Sequence, residues 1–516
     1  MNKIRNKLNM KNKWLMLLFV AQLFGCASFT NGKEPSTSQD NHGSLPSLSL
    51  HSTPILLGSS LLVDKSHTSN GSDRAVNGKP RFSGVMGAQS LTYKGYQYVI
   101  YYTAKDRGGY GDLFAEVVVA RRKVTGHDWQ HATLPVYRLT SDDAHNRQAI
   151  EISKGDGAIH ISFDHHNSDR INYARTAAGV ADHPETVDWN DDIFKFKRNL
   201  GFSNDAVSRV TYPKFYSLDS GNVLMYFREG GAAKGEMRLA LYDAKSSDWE
   251  SIRNLSSNDG VYLQNVNGNE KPSTRGPYLA GDGPKFDANG RMHISWVFRE
   301  RPVNCNPGTS NASDCNHGIY YAYSDDEGLT WYNNAGNLVA DTRDGEVLSV
   351  ETPGLEAVHV PTTLRPSNVS HNSVIDIKTG DYHLLLSHKT APDGSARVHH
   401  YVRDTSGKWQ KRVSDFNASN VTLKFLDDRL FAFAGRGDAR IFYSDRTDGF
   451  TEWHKIEMPN VDNELVKIEG GYITWDLSLL SRGIASIVWQ HAPATNGEPS
   501  PIYVYDFELG RVEPSE

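Results

Sequence analysis

The sequence predicts an all-β chain: a seven-bladed β-propeller with four antiparallel strands per blade. Three observations carry that expectation. After residue 80 no stretch has the spacing of an amphipathic helix; short runs rich in Tyr, Val, Ile, Phe and Trp are broken by Gly, Asp and Asn. A tryptophan recurs after a Tyr-rich strand and a polar turn, at Trp129, Trp189, Trp249, Trp331, Trp409 and Trp453. Segments far apart in the chain also repeat each other at matching spacings, the mark of an array of similar units.

The N-terminus is read first. Lys3, Arg5, Lys7, Lys11 and Lys13 precede an apolar run from Trp14 to Phe24. That run is too short to span a bilayer and suits an export signal. Leu23-Phe24-Gly25-Cys26 has the form of a bacterial lipobox, so residues 1–25 are expected to be a signal peptide and Cys26 a lipidated N-terminus. No Asp follows Cys26, which points to the outer membrane or the cell surface, with ordinary secretion as the alternative. Residues 26–75 are expected to form a polar tether, and 76–512 the propeller.

Loss of residues 1–25 removes five basic and no acidic side chains, taking the formal charge from −6 to −11. A chain this acidic is not expected to bind nucleic acid. A polyanionic ligand would need a local cluster of positive groups.

The repeats define the blade. Tyr212-Pro213-Lys214-Phe215 leads to Phe227-Arg228-Glu229, and Gly283-Pro284-Lys285-Phe286 leads with the same spacing to Phe298-Arg299-Glu300. Ser324-Asp325-Asp326-Glu327-Gly328-Leu329-Thr330-Trp331 is an Asp box, in which side chains cap a tight turn, Gly takes the left-handed conformation and Trp buries beneath. Counted this way, units start near residues 84, 145, 212, 284, 369, 421 and 466.

The candidate site follows from hairpin geometry. His145-Asn146 opens a strand that returns at Asp164-His165-His166, and His371-Asn372 opens one that returns at His388-Lys389. The start of one strand lies beside the end of its partner, so His145 and His166 are expected on one rim. By the same rule Tyr212 and Arg228 share that rim in the next blade, with Arg299 and His388 as the matching strand ends elsewhere. This set suits β-elimination on a uronic acid polymer. Arg228 would neutralise the uronate, and His and Tyr would remove one proton and deliver another. Arg147, Lys214 and Arg170 are further positive groups available on the rim. Cys305 and Cys315 bracket a loop that a disulfide would pin; His317 and His293 would instead complete a four-ligand structural zinc site. Spacing leaves both open.

Together, the Asp-box unit, the His-Asn…Asp-His-His hairpin, Thr211-Tyr212-Pro213…Phe227-Arg228-Glu229, Arg275-Gly276-Pro277-Tyr278 and the Cys305…Cys315-Asn316-His317 loop resemble bacterial ulvan lyases, the polysaccharide lyases of families 24 and 25, over about residues 80 to 510. The resemblance implies a monomeric enzyme of a marine bacterium, acting on ulvan, a sulfated polymer of rhamnose and uronic acid. It implies a catalytic His and Tyr, an Arg facing the uronate and a bound metal. Carried over by motif, these fall on His145, Tyr212 and Arg228, assisted by His166. Tyr242 and Tyr278 are further candidates for substrate contact. The resemblance favours zinc at the cysteine loop, and calcium is a second metal to consider. Competing expectations are a lyase for another uronan, such as rhamnogalacturonan, and a non-catalytic glycan-binding surface lipoprotein.

Overall fold

A computed structural model describes residues 48–68, 89–104 and 115–512, apart from 140–142, 263–275, 280–282, 301–304, 306–311, 368–370, 460–470, 494–497 and single or paired residues elsewhere. The expected signal peptide and Cys26 lie outside the described residues. Among those described, every element longer than four residues is a strand.

The described strands fall into seven successive antiparallel meanders, whose first strands begin at Ser90, Arg147, Val210, Gly276 (continued at Lys285), His371, Val421 and Gly471. Each start lies within about eight residues of its sequence-based position. Within each meander, alternate residues face opposite neighbours, as the period of a strand requires. Along Tyr96–Ala104, Tyr98, Ile100 and Tyr102 pack toward the second meander, while Val99 and Tyr101 pack toward the seventh. Seven hydrophobic clusters result, each shared by two adjacent meanders. The last joins Val99 and Val118 to Val488 and Val504, so the meanders close into a propeller.

Closure corrects one expectation. The tether over residues 26–75 runs too far, because Leu48–Ser66 is a strand paired along Ser500–Val512. It supplies the outermost strand of the seventh meander. Its sequence looks like a linker because one side faces solvent, with Ile55, Leu57 and Leu61 exposed, and because its partner lies more than 400 residues away. A buried ion pair fastens the seam. Arg122 of the first meander donates from Nη2 to both oxygens of Asp506 (2.7 and 2.8 Å) and from Nη1 to Ser60 Oγ (3.2 Å). Asp476, on the first strand of the seventh meander, accepts from Thr92 Oγ1 (2.8 Å) and Gln97 Nε2 (2.9 Å).

The Asp box forms as expected. Asp326 accepts from Thr330 N (2.8 Å) and Thr330 Oγ1 (2.7 Å), Gly328 has φ +86°, and Trp331 is fully buried.

Two tests follow. Arg122→Met should lower the unfolding free energy by about 3–5 kcal/mol, because it leaves Asp506 buried without its counter-charge. Arg122→Met with Asp506→Leu should recover most of that loss in urea titrations, and a double variant as weak as the single one would remove the pair from this role. The second test concerns pH. Burial holds His160, His165, His371 and His383 down to about 3, against an ordinary 6.5. These imidazoles are neutral when folded and bind protons on unfolding, so their contribution is present above about 6.5 and is lost as pH falls toward about 3. Unfolding free energy should drop between pH 7.5 and pH 5 by up to about 1.4 kcal/mol per pH unit below 6.5 for each such histidine. A flat urea midpoint over that range would contradict it.

Candidate functional site

Strand register builds the site. In the second and third meanders Thr211 pairs with His166 on one side and with Arg228 on the other. One strand start therefore carries the end of its own hairpin and the end of the preceding one. A bulge between Thr211 and Lys214 breaks the ladder at Tyr212. Tyr212 has φ +56°, and Asp164, Asn167 and Arg209 nearby in sequence are also left-handed at +60°, +58° and +50°. Non-glycine residues seldom adopt this conformation, and its cost of about 1 kcal/mol or more is tolerated where the surroundings fix it. Here it turns side chains out of the ladder and onto the rim.

The expected group comes together. The rings of His145 and His166 have centroids 4.4 Å apart, and Tyr212 lies 6.5 Å from the first and 6.2 Å from the second. The guanidinium carbons of Arg228 and Arg147 sit 5.4 and 5.6 Å from the Tyr212 ring centroid. Arg228 is buried, with Nε donating to Gly230 O at 3.2 Å. Gly235 makes room for it: a Cβ there would stand 2.7 Å from Cγ and Cδ of Arg228. Neighbouring Glu229 faces Arg238 instead, at 2.7 Å, so Arg228-Glu229 is not a surface ion pair.

Asp143 belongs to the group and was missed from sequence. Its Oδ1 accepts from the backbone N of His145 at 2.9 Å, a local turn that fixes the carboxylate. The same Oδ1 lies 3.0 Å from His145 Nδ1, and Oδ2 lies 2.5 Å from His166 Nδ1. Partial burial opposes ionisation, but the hydrogen bonds from both imidazoles prevail and hold this carboxyl well below the usual range. All three side chains keep 22–25% of their surface exposed, so the site is open to a ligand. Two residues upstream of a histidine, in a polar loop, an Asp carries no periodic signal; only an Asp-x-His turn could have suggested it.

Other expected residues fall elsewhere. Lys214 is half-buried on the same strand as Tyr212, and Arg170 pairs with Asp169. Tyr242 does not reach the site. It is fully buried opposite Val223, at the far end of the hairpin from Arg228, with its OH donating to Asp156 Oδ2 (2.6 Å) and accepting from Arg175 Nη1 (2.9 Å). Arg299 is buried and donates to Asn316 Oδ1 at 2.8 Å, holding its own loop. The side chain of Tyr278 lies outside the described residues. The second hairpin repeats the backbone but not the chemistry: His371 bonds Ser295 Oγ (2.9 Å) and His388 bonds Tyr401 OH (2.8 Å), both buried.

The expected zinc ligands do not assemble. Cys305 and Cys315 are joined as a disulfide. His317 pairs with Phe298 in the ladder and lies 2.9 Å from Glu300 Oε1, whereas His293 pairs with Tyr323 toward the other end of the same strand and bonds Tyr321 OH at 2.6 Å. At about 3.3 Å per residue, the two imidazoles sit well over 10 Å apart along the strand. No calcium site is placed by these residues.

Curated relatives match parts of the chain. It is 28% identical over 283 residues to the long isoform of ulvan lyase from Alteromonas sp. (strain LOR), covering 49% of this chain and 27% of that protein. It is 25% identical over 300 residues to the short isoform from the same strain, covering 48% and 53%. The chain thus spans about a quarter to a half of the length of these relatives. Among solved structures, the polysaccharide lyase Uly1 superposes with a TM-score of 0.63 at 17% identity, over 88% of this chain and 99% of that one, which shows a shared fold. A family model for BNR repeat-containing proteins matches residues 96–416, across five consecutive meanders and more than half of the sequence, and the chain therefore belongs to the BNR repeat-containing family.

Proposed function

We propose that this protein is a polysaccharide lyase that cleaves ulvan by β-elimination at the uronic acid, leaving an unsaturated uronyl end. The observation that carries the reading is the convergence of two imidazoles, a phenol and two guanidinium groups on one rim, with ring centroids 4.4–6.5 Å apart. The names of the curated relatives support the substrate. In this reading Arg228 faces the uronate carboxylate and stabilises the charge that builds up as the α-proton leaves. An imidazole of the His145–His166 pair takes that proton through Nε2, because Nδ1 of each is turned onto Asp143. Tyr212 delivers a proton to the departing glycosidic oxygen. The guanidinium groups of Arg147 and Arg228 beside its ring favour the negative charge this leaves on the phenol.

Exported and held at the outer membrane through a lipidated Cys26, the enzyme would meet a polymer too large to enter the cell. The Cys26→Ser variant should move from the membrane fraction to the soluble fraction of the producing cells; unchanged partitioning would refute the anchor.

His145→Ala and Tyr212→Phe should each lower kcat by about 10²–10⁴-fold, the usual worth of a positioned acid or base, while circular dichroism and melting stay as in the parent. The assay is ultraviolet absorbance of the unsaturated product, with mass spectrometry across a panel of ulvan, rhamnogalacturonan and other uronans. Parent-like rates in both variants would remove the site assignment. Turnover of a different uronan alone would keep the chemistry and replace the substrate, and binding without absorbance change would leave a glycan-capture protein.

A further inference from the structure

One carboxylate serving two imidazoles has a consequence for both. An ionised carboxylate only accepts hydrogen bonds, so each nitrogen turned toward it must carry the hydrogen. Asp143 places Oδ1 3.0 Å from His145 Nδ1 and Oδ2 2.5 Å from His166 Nδ1. Its own position is fixed by the turn in which Oδ1 also accepts the backbone N–H of His145 and the backbone O accepts that of Asn146, at 2.9 and 3.0 Å. We propose that Asp143 is a positioning residue that holds His145 and His166 together in the Nδ1–H tautomer, so that Nε2 of each is the atom presented to a ligand.

The contrast with adjacent His165 supports this. That imidazole is fully buried, with Nε2 accepting the backbone N–H of Asn172 at 2.9 Å, and has no carboxylate partner among the contacts described. Two consecutive histidines thus divide their work. His165 closes the hairpin, and His166 is released to the rim by the left-handed residues Asp164 and Asn167 that flank the pair. The His145 and His166 rings lie 4.4 Å apart, so one carboxylate reaches both. The catalytic value of this arrangement rests on the lyase reading; the tautomer assignment does not.

The test uses the full-length protein with ¹⁵N-histidine labelling. Long-range ¹H–¹⁵N correlation spectra above pH 7.5, assigned through His145→Ala and His166→Ala, should show both imidazoles as Nδ1–H. Either one as Nε2–H in the parent overturns the proposal, whether or not any variant folds. In Asp143→Asn the amide offers a single acceptor, so one of the two signals should change tautomer. On ulvan its kcat should fall about 10–100-fold with KM within about threefold, and Asp143→Glu should recover part of the loss. An Asp143→Asn protein with both tautomers and kcat unchanged also overturns it. A parent protein with both Nδ1–H signals but no absorbance change on any uronan leaves the positioning role standing and defeats the proposed activity.

Discussion

The pairing of Leu48–Ser66 with Ser500–Val512 is the constraint on which the rest of the structure depends. A meander of four strands cannot bury both of its faces alone. It is stable only between two neighbours, so an open row of seven leaves two apolar faces uncovered. The first and seventh meanders cover each other through Val99, Val118, Val488 and Val504, and Arg122–Asp506 crosses the seam with an Arg side chain only 1% exposed. Such a pair is weak evidence for stability in itself, because removing both charges from water is costly. Its value lies in direction: Nη2 of the guanidinium reaches both oxygens of one carboxylate in one register, and that register sets how the last meander meets the first.

Closure matters to the rim because it fixes the angle between sectors. The site belongs to the second and third meanders, and its side chains come from strand ends and from the turn that leads into Arg147. Regular ladders deliver Thr211 between His166 and Arg228, and the left-handed residues then depart from the ladder where side chains must turn outward. Strain of that kind is tolerated because close-packed blades on both sides leave the backbone no alternative. The histidines show how environment divides one residue type. His160, His371 and His383 lie among aromatic rings and hydroxyls between blades, where burial keeps them neutral. His145 and His166 sit half-open at the edge, against a carboxylate.

What could be read from the sequence tracks how local the cause is. The Asp box and the Phe-Arg-Glu repeats are turn chemistry and strand spacing, so the blade starts were visible within a few residues. The convergence of His145, His166, Tyr212 and Arg228 was also visible, since hairpin pairing follows from length and turn. Direction along a strand was read less well. His293 and His317 looked like partners because only their sequence distance was weighed, but they stand toward opposite ends of two paired strands. Tyr242 failed for the same reason: its register partner Val223 opens the returning strand, at the rim away from Arg228. The N-terminal strand was hidden because its partner is at the other end of the chain and its outward side chains dilute the apolar signal.

Charge completes the argument. The chain carries a formal net charge of −6, so its long-range field repels a polyanion rather than steering it in. Binding must then rest on groups that act at contact. Screening at physiological salt confines exposed charges to about 8 Å, roughly the width of a sugar unit or two. Arg228 and Arg147 meet that condition because both lie within 5.6 Å of one aromatic ring, on the rim that also holds the imidazoles. A buried guanidinium is screened less than an exposed lysine, and its planar fork matches a carboxylate. The acidic surface and the basic rim are therefore compatible: the first repels a polyanion at long range, and the second concentrates positive charge at one place on the rim.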